Sequence, residues 1–293
     1  MGPEIALKAV ADERALESAR LVVIGDEELL RRTAREQKLR WPFAAVDRQM
    51  PAQVRSNKPV LISQDNCAGA LVPGQLSAGA GTAAAEAIEH AVELATTKAV
   101  DGLVTGPIHK ESLSLAGITD AGHTDFIARL SGTTRFGTLL WVEAFAAGML
   151  STHVSIKDAL KRVRRGRIVD ALLLFDDYWR RVGGRAPRIG VAALNPHGGE
   201  GSRLGTEEVR EIRPAIEKVR ERGLLATGPV AADGIFLQAK EGRFDLVLAL
   251  YHDQAAVPIK LLSGRRAVIV TAGLPFVRTS VEHGPAMDIA GRG

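Results

Sequence analysis

Three histidines of this sequence each follow an apolar run of the kind that forms a buried strand. His252 follows Leu246 to Leu250, His197 follows the stretch 188–194, and His153 follows a further run of this type. An apolar run without polar alternation is typical of a strand that is covered on both faces in a parallel sheet. Ligands of open α/β sheets bind at the carboxyl ends of such strands. The pattern therefore places three imidazoles at positions where ligands bind.

These histidines support two interpretations. Neutral imidazole is the commonest protein ligand of transition metals, and three ligands with a position left for water or substrate are typical of a catalytic metal site. A structural metal site instead fills all four positions. The long spacing between the three residues is not itself a metal motif, so the alternative is a set of polar turns that leave a sheet.

The elements that would position these residues alternate between strand and helix. We predict strands at 21–25, 60–62, 100–104, 188–194, 246–250 and 265–271, and helices at 5–16, 27–38, 83–97, 156–163, 169–182 and 207–222. Asp233 lies at the start of another predicted helix, which precedes the strand at 246–250. We predict that the segment from Gly273 to Gly291 is a loop that contributes functional side chains.

A second candidate site lies at a predicted helix start, at Gly122-His123-Thr124-Asp125-Phe126. Helix N-termini attract phosphate and carboxylate, because unpaired N–H groups and the helix dipole point outward. The polar side chains of His123 and Thr124 would add to such an anion site. The alternative is that Thr124 only caps the helix.

Composition limits the class of protein. The chain has 293 residues with 46% hydrophobic content, enough for one large domain or two coupled ones. Its single cysteine, Cys67, cannot form an intrachain disulfide, and no apolar stretch approaches the roughly 20 residues of a membrane span or the pattern of a signal peptide. We therefore expect a soluble cytoplasmic protein without a membrane partner.

The net charge of +4 allows two interpretations. A basic run at 161–167 could contact nucleic acid. The aromatic residues, 4% of the chain, are not interleaved with the basic ones, which favours a solvated helix face. An anionic small-molecule substrate accounts for part of the same excess of positive charge, so we expect such a substrate and no nucleic acid.

Six motifs together carry a resemblance to a known family. They are Gly2-Pro3-Glu4-Ile5, Val104-Thr105-Gly106-Pro107, Gly122-His123-Thr124, Asn195-Pro196-His197, Tyr251-His252-Asp253-Gln254 and Gly273-Leu274-Pro275. In these the chain resembles the 4-hydroxythreonine-4-phosphate dehydrogenases of pyridoxal phosphate biosynthesis and their catabolic relatives. The resemblance implies an α/β fold like that of isopropylmalate and isocitrate dehydrogenases, with mixed, largely parallel sheets in two interleaved subdomains of one catalytic chain and a cleft between them. It also implies a homodimer, and the sequence has no Gly-x-Gly-x-x-Gly dinucleotide fingerprint.

The resemblance implies roles for individual residues. His153, His197 and His252 match the ligands of a divalent metal (Zn, Mg, Co or Mn), with one histidine supplied by the partner subunit. The residues that match substrate contacts are His123, Thr124, Lys260 and Arg278. The candidates for proton transfer are Asp233, Asp253 and Lys260, in no determined order. Those that match the NAD site are Glu200, His283, Gly284 and Asp288, within or near a C-terminal region at about 265–293.

The implied reaction is NAD-dependent oxidation with decarboxylation of 4-phosphooxy-L-threonine to 3-amino-2-oxopropyl phosphate, in which the metal lowers the pKa of the substrate hydroxyl. Catabolic relatives instead oxidise 4-phosphothreonate or 4-phosphoerythronate. Another branch acts on aromatic cis-dihydrodiol carboxylates but departs from Gly-His-Thr. A metal-binding dimer without activity is the alternative outside the enzymes.

The sequence departs from the family pattern at three places. Ile269 stands where the family usually has an asparagine that contacts the substrate, so we expect weak use of 4-phosphooxy-threonine. Met1 stands where a preceding strand and Gly-Asp-Pro loop should end, and the sequence stops at Gly293, before a terminal helix. We expect either that these ends are missing from the sequence or that a sheet lacks a strand and its cover.

Overall fold

The computed structural model of the protein describes residues 1–48, 58–67, 71–120, 122–264 and 266–292. The chain divides into two compact units, one comprising Met1–Gly132 with His283–Gly293 and the other Thr133–Glu282. Both units combine helices with strands. The strand pairs of the first unit are parallel and those of the second unit are partly parallel and partly antiparallel, so the predicted mixed α/β fold class is confirmed. No helix in the described part of the chain combines the length and apolar character needed to cross a membrane.

The first unit contains a small parallel sheet with the strand order β1-β3-β2. Its elements are α1 (Gly2–Ala9), α2 (Glu13–Ser18), β1 (Val22–Gly25), α3 (Glu27–Glu36), β2 (Ala45–Asp47), β3 (Val60–Ser63), α4 (Ala78–Thr96), β4 (Gly102–Thr105), α5 (Lys110–Leu115) and α6 (His123–Leu130). Leu7 of α1 and Leu30 of α3 pack with Leu61 of β3 in one buried cluster. The predicted helix 5–16 is wrong as a single element, because Asp12 interrupts it and caps α2 by accepting a hydrogen bond from the Arg14 N–H.

The second unit contains a larger mixed sheet. Its elements are β5 (Gly137–Trp141), β6 (Ala146–Met149), α7 (Ile156–Arg162), α8 (Arg165–Gly183), β7 (Arg188–Ala192), α9 (Arg213–Arg220), β8 (Leu225–Val230), α10 (Ala232–Lys240), β9 (Leu246–Ala249), α11 (His252–Ser263), β10 (Val268–Ala272) and β11 (Val277–Ser280). Within this unit the strands follow the order β11-β10-β5-β6-β9-β7-β8. The strands β6, β9, β7 and β8 form its parallel half, and β5, β10 and β11 pair in antiparallel fashion.

Helices cover both faces of the parallel half. All four residues of β9 are buried, as the apolar run predicts. One face packs against α8 and α9, and the other packs against α10 and α11. Gly148 of β6 lies under Phe175 of α8, and a Cβ atom at Gly148 would come within 2.5 Å of the Phe175 ring. Glycine therefore permits the close approach of this helix to the sheet.

The sequence does not predict three strands of the second unit, β5, β8 and β11. The segment predicted as a loop from Gly273 to Gly291 contains β11, which pairs with β10. β8 is an edge strand of the sheet, where glycine and proline are tolerated. Its Gly228 and Pro229 are not typical of a strand, so the sequence does not predict it. β5 was also not predicted. The last predicted strand, 265–271, is observed at Val268–Ala272, and Arg265 and Gly293 lie outside the described residues.

Candidate active site

The three histidines follow three neighbouring parallel strands. β9 pairs with β6 on one side and with β7 on the other, and all three run in the same direction. His153 follows β6, His252 begins the helix after β9, and His197 lies in the turn after β7. Because the carboxyl ends of parallel strands meet at one edge of the sheet, all three histidines lie along this edge. Their predicted position after strands is confirmed.

His153 and His252 are direct neighbours. Their ring centroids are 5.6 Å apart with an interplanar angle of 43°. The Nδ1 atom of His252 lies 2.7 Å from Oδ1 of Asp253. A carboxylate in this position fixes the tautomer and orientation of an imidazole and leaves Nε2 available to a metal. Asp253, predicted to take part in proton transfer, therefore also orients a predicted metal ligand.

The backbone after β7 follows an unusual path. His197, Gly198, Gly199, Glu200 and Gly201 all have positive φ, with values of 53° for His197 and 44° for Glu200. Glycine adopts this left-handed conformation without penalty, but a non-glycine residue pays about 1 kcal/mol or more. Strain of this kind is concentrated at functional sites.

This left-handed turn brings His197 and Glu200 together. The Nδ1 atom of His197 lies 2.8 Å from Oε1 of Glu200. The hydrogen bond and charge of Glu200, with a smaller contribution from the charge of Asp233, raise the pKa of the His197 imidazole. A metal at Nε2 would therefore compete with a proton, since only neutral imidazole binds metals. Glu200, predicted to contact the cofactor, here contacts a predicted metal ligand.

The donor chemistry fits a divalent metal, although one chain does not complete the site. In the described part of the chain, no three His, Cys, Asp or Glu side chains are grouped to hold a metal ion. Two imidazoles nevertheless lie together, and carboxylates engage Nδ1 in both His197 and His252. A further ligand would have to come from elsewhere. The sharing of histidines between two subunits would supply one, and it stays a prediction.

Two buried side chains hold the histidine-bearing segments in place. Glu208 was not indicated by the sequence, and Gln254 was noted only as part of a motif. Glu208 is 1% exposed and accepts hydrogen bonds from the N–H groups of Leu194 and Asn195, and from Nδ2 of Asn195. Gln254 accepts from the Leu250 N–H and donates to the Ala193 carbonyl, so it joins the ends of β9 and β7. Their roles were not visible in the sequence, because Glu208 bonds residues 13 and 14 positions away and Gln254 bonds the Ala193 carbonyl 61 positions away.

Lys260, on α11, has a carboxylate neighbour that was also missed. Its Nζ atom lies 3.8 Å from Oε1 of Glu282, whose side chain is only 15% exposed. The Lys260 side chain itself is 62% exposed and can reach a ligand. Glu282 therefore provides a counter-charge beside a predicted substrate-binding lysine.

Arg278 is deeply buried in β11. It is 2% exposed, its Nη1 atom donates to Oγ1 of Thr271 at 3.0 Å, and burial lowers its pKa to about 10. Ile269 lies on the neighbouring β10, directly opposite Ser280, and is partly buried against the core. Ile269 and Thr271 are two residues apart on β10 and point to the same face, and the side chain of Arg278 bonds that of Thr271, so Ile269 and Arg278 share one face of the sheet.

The remaining predicted contacts lie in the first unit or at a helix start. His123 and Thr124 form the first turn of α6, whose N-cap is Gly122, so Thr124 is not the capping residue. His283, Gly284 and Asp288 are exposed. Asp233 is exposed in the first turn of α10, after β8, at the same edge of the second sheet as the histidines.

Comparison with known proteins places the chain in a family. The family model described as "Pyridoxal phosphate biosynthetic protein PdxA" matches residues 17–293. The chain belongs to the PdxA family. The resemblance inferred from the sequence motifs is thereby confirmed.

Members of the PdxA family that are similar to this chain carry two different names. A protein of Beijerinckia indica named 4-hydroxythreonine-4-phosphate dehydrogenase is 44% identical over 220 residues, which cover 75% of this chain and 65% of that protein. A D-threonate 4-phosphate dehydrogenase of Salmonella typhimurium is 38% identical over 295 residues, which cover 100% of this chain and 90% of that protein. The crystal structure of a 4-hydroxythreonine-4-phosphate dehydrogenase from Klebsiella pneumoniae superimposes with a TM-score of 0.91 at 37% identity, covering 100% of this chain and 90% of that one.

Proposed function

We propose that this protein is a dehydrogenase that oxidises and decarboxylates a phosphorylated four-carbon hydroxy acid, with NAD as the hydride acceptor and a divalent metal at the histidines. The observation that carries the proposal is the arrangement of His153, His252 and His197 after three adjacent parallel strands. Two relatives that align with the whole chain support the same class of reaction, since they are named D-threonate 4-phosphate dehydrogenase and 4-hydroxythreonine-4-phosphate dehydrogenase.

The chain offers residues that could bind both the divalent metal and NAD. His153 and His252, with His197 and a second subunit of a homodimer completing the set, would hold the metal through imidazole nitrogen atoms. A divalent ion at such a site acts as a Lewis acid that lowers the pKa of a hydroxyl group and stabilises negative charge on oxygen. The exposed carboxylate of Asp288 can accept hydrogen bonds from the ribose hydroxyls of NAD, with His283 and Gly284 beside it in sequence.

The other residues have separate tasks in this proposal. The Lys260 ammonium and the Arg278 guanidinium attract the negatively charged groups of the substrate, and the first turn of α6, with His123 and Thr124, offers a further anion site. Asp233 and Asp253 are exposed carboxylates that can accept the hydroxyl proton. Transfer of a hydride from the hydroxyl-bearing carbon to NAD, with loss of the proton from its hydroxyl group, gives a β-keto acid. This acid releases carbon dioxide, and the resulting enolate takes up a proton.

We propose D-threonate 4-phosphate as the preferred substrate. The relative of this name from Salmonella typhimurium aligns with the entire chain, whereas the Beijerinckia indica relative aligns with 75% of it. Ile269 also favours this choice over 4-phosphooxy-L-threonine, because isoleucine cannot hydrogen-bond to a substrate. The two compounds differ at C2, which carries a hydroxyl group in the first and an ammonium group in the second.

4-Phosphooxy-L-threonine is the second candidate. The 44% identity to the Beijerinckia indica 4-hydroxythreonine-4-phosphate dehydrogenase favours it. Oxidation of its C3 hydroxyl group and loss of carbon dioxide would give 3-amino-2-oxopropyl phosphate. The same residues would serve both reactions, so kinetics must separate them.

A substrate panel tests this proposal. Metal-depleted protein is supplied with NAD and, in turn, with Mg, Mn, Co or Zn ions, and NADH formation is measured with D-threonate 4-phosphate, D-erythronate 4-phosphate and 4-phosphooxy-L-threonine. We expect metal-dependent turnover with the highest kcat/KM on D-threonate 4-phosphate. A higher kcat/KM on 4-phosphooxy-L-threonine would establish the second candidate, and metal binding without any NADH formation would indicate an inactive metal-binding dimer.

A further inference from the structure

A cavity of about 500 Å³ lies at the end of the second unit's sheet opposite to the histidines. It is formed where β7, β8 and β9 begin, whereas the histidines follow the ends of their strands. Its lining residues are Arg188, Arg220, Leu224, Leu225, Ala226, Thr227, Arg243 and Phe244. Three guanidinium groups and no carboxylate therefore belong to the described lining.

Contacts within the protein hold all three guanidinium groups in place. Arg188 donates through Nε and Nη2 to the carboxylate of Asp245, at 3.0 and 2.9 Å. Arg220 donates through Nε to the Ala226 carbonyl at 2.6 Å. Arg243 donates through Nη1 to Oε1 of Gln238 at 2.9 Å. Each of these contacts leaves further N–H donors of the same guanidinium for another acceptor.

Charge and polarity define what the cavity can bind. Asp245 offsets charge on Arg188 but bonds neither Arg220 nor Arg243, so at least two positive charges remain for a ligand. The guanidinium fork matches the oxygen atoms of phosphate, and prior fixation reduces the entropy lost on binding. The lining also includes the apolar side chains of Leu224 and Phe244, which are 7% and 3% exposed, and of Leu225, which is 54% exposed. A dianion that carries an apolar group fits both parts.

We propose that this cavity is a binding site for a phosphate monoester of a small aromatic or aliphatic group, separate from the candidate active site. Arg220 and Arg243 bind the phosphate, and Leu224, Leu225 and Phe244 contact the organic part. A volume near 500 Å³ lies within the usual range of small-molecule sites, roughly 300–1,000 Å³. The site does not depend on the catalytic activity proposed above.

Phenyl phosphate serves as the probe, and the amide signals of the protein in NMR spectra report where it binds. We expect saturable shifts at the amides of Thr227 and Phe244, and weaker binding of inorganic phosphate at the same amides because it lacks the apolar group. In the variant Arg220→Ala/Arg243→Ala the affinity measured at these amides should fall at least tenfold, about 1.4 kcal/mol.

Two controls separate the proposal from a general charge effect and from misfolding. Arg167→Ala/Arg213→Ala removes the same charge from two exposed positions outside the cavity and should leave the affinity unchanged. Arg243→Gln alone, at an exposed loop position, should weaken binding without disturbing α9. Absent shifts at these amides, equal losses in both double variants, or inorganic phosphate binding as tightly as phenyl phosphate would overturn the proposal.

Discussion

His252 combines two features of a metal ligand, an imidazole next to His153 and a carboxylate on its Nδ1 atom. We predict that His252→Ala removes both metal retention and activity, because it removes a direct ligand. Asp253→Asn should retain the ligand but weaken metal affinity by about 10–100-fold, since the orienting carboxylate is lost. Metal content after dialysis and kcat measure these effects. Full metal content and full turnover in His252→Ala would refute the assignment.

Ile269 tests substrate choice at the level of a single side chain. It shares a face of the sheet with Arg278 but also packs against the core, so Ile269→Asn changes both recognition and stability. We expect the variant to unfold more easily by about 1–3 kcal/mol, because an amide replaces apolar contact. The ratio of kcat/KM for 4-phosphooxy-L-threonine to that for D-threonate 4-phosphate should rise.

This ratio is the informative readout for Ile269, because loss of folded protein lowers both rates equally. Ile269→Val serves as the control, since it keeps an apolar side chain and should leave the ratio unchanged. An unchanged ratio in Ile269→Asn would show that Ile269 only packs in the strand.

Glu208 holds in place the segment that joins β7 to the left-handed turn at His197, by accepting hydrogen bonds from Leu194 and Asn195. Glu208→Gln keeps one acceptor oxygen but turns an NH₂ group toward Nδ2 of Asn195, so two donors face each other. We expect a loss of stability of about 1–3 kcal/mol and a lower metal affinity. Thermal unfolding and metal titration measure both. Glu217→Gln, at an exposed position of α9, is the matched control and should change neither quantity.

Asp245 links the starts of the neighbouring strands β9 and β7 through hydrogen bonds. It lies just before β9, is 6% exposed, and accepts hydrogen bonds from Arg185 and from the backbone and side chain of Arg188 at the start of β7. The hydrogen bonds from Arg185 and Arg188 hold the pKa of the Asp245 carboxyl far below its usual value. We predict that Asp245→Asn destabilises the fold by about 2–3 kcal/mol, since both arginines are half exposed and keep part of their hydration.

The lowered pKa also predicts a pH dependence. A carboxyl group with a depressed native pKa stabilises the fold at pH values above its unfolded pKa, about 4, and this contribution is lost as the pH falls below that value. The stability difference between wild type and Asp245→Asn should therefore shrink in denaturant titrations carried out at progressively lower pH below about 4. A constant difference across this range would contradict the assigned cause.

The whole assembly is tested by mixing inactive variants. Suppose that each metal site takes two histidines from one subunit and the third from its partner. If one variant lacks one of the two and the other variant lacks the third, their mixed dimer contains one intact site. Among pairwise mixtures of His153→Ala, His197→Ala and His252→Ala, we expect two to regain activity after subunit exchange. The third mixture should stay inactive, because both of its altered histidines come from the same subunit of each site. No recovery in any mixture would place the site within one subunit.

The fold was predictable where its signal is local. β9 could be predicted because both of its faces are covered, so every residue of the run is apolar, and the Ser155 cap of α7 is visible from residues three positions apart. β8 and β11 were not predictable in this way. Gly228 and Pro229 interrupt β8, and Arg278 is buried inside β11 although arginine in a sequence usually indicates exposure.

The sequence by itself determined which residues are candidates for a metal or anion site and that three histidines follow strands, because residue type and hydrophobic pattern are local properties. Only the tertiary structure decided that β6, β9 and β7 are neighbours and that His153 and His252 lie together. It also decided that Glu208 and Gln254 bond the ends of these strands and that Glu282 lies beside Lys260. The physical reason is that strand order and buried hydrogen bonds join segments far apart along the chain. Gln254 and Ala193, for example, meet only after β7 and β9 have paired.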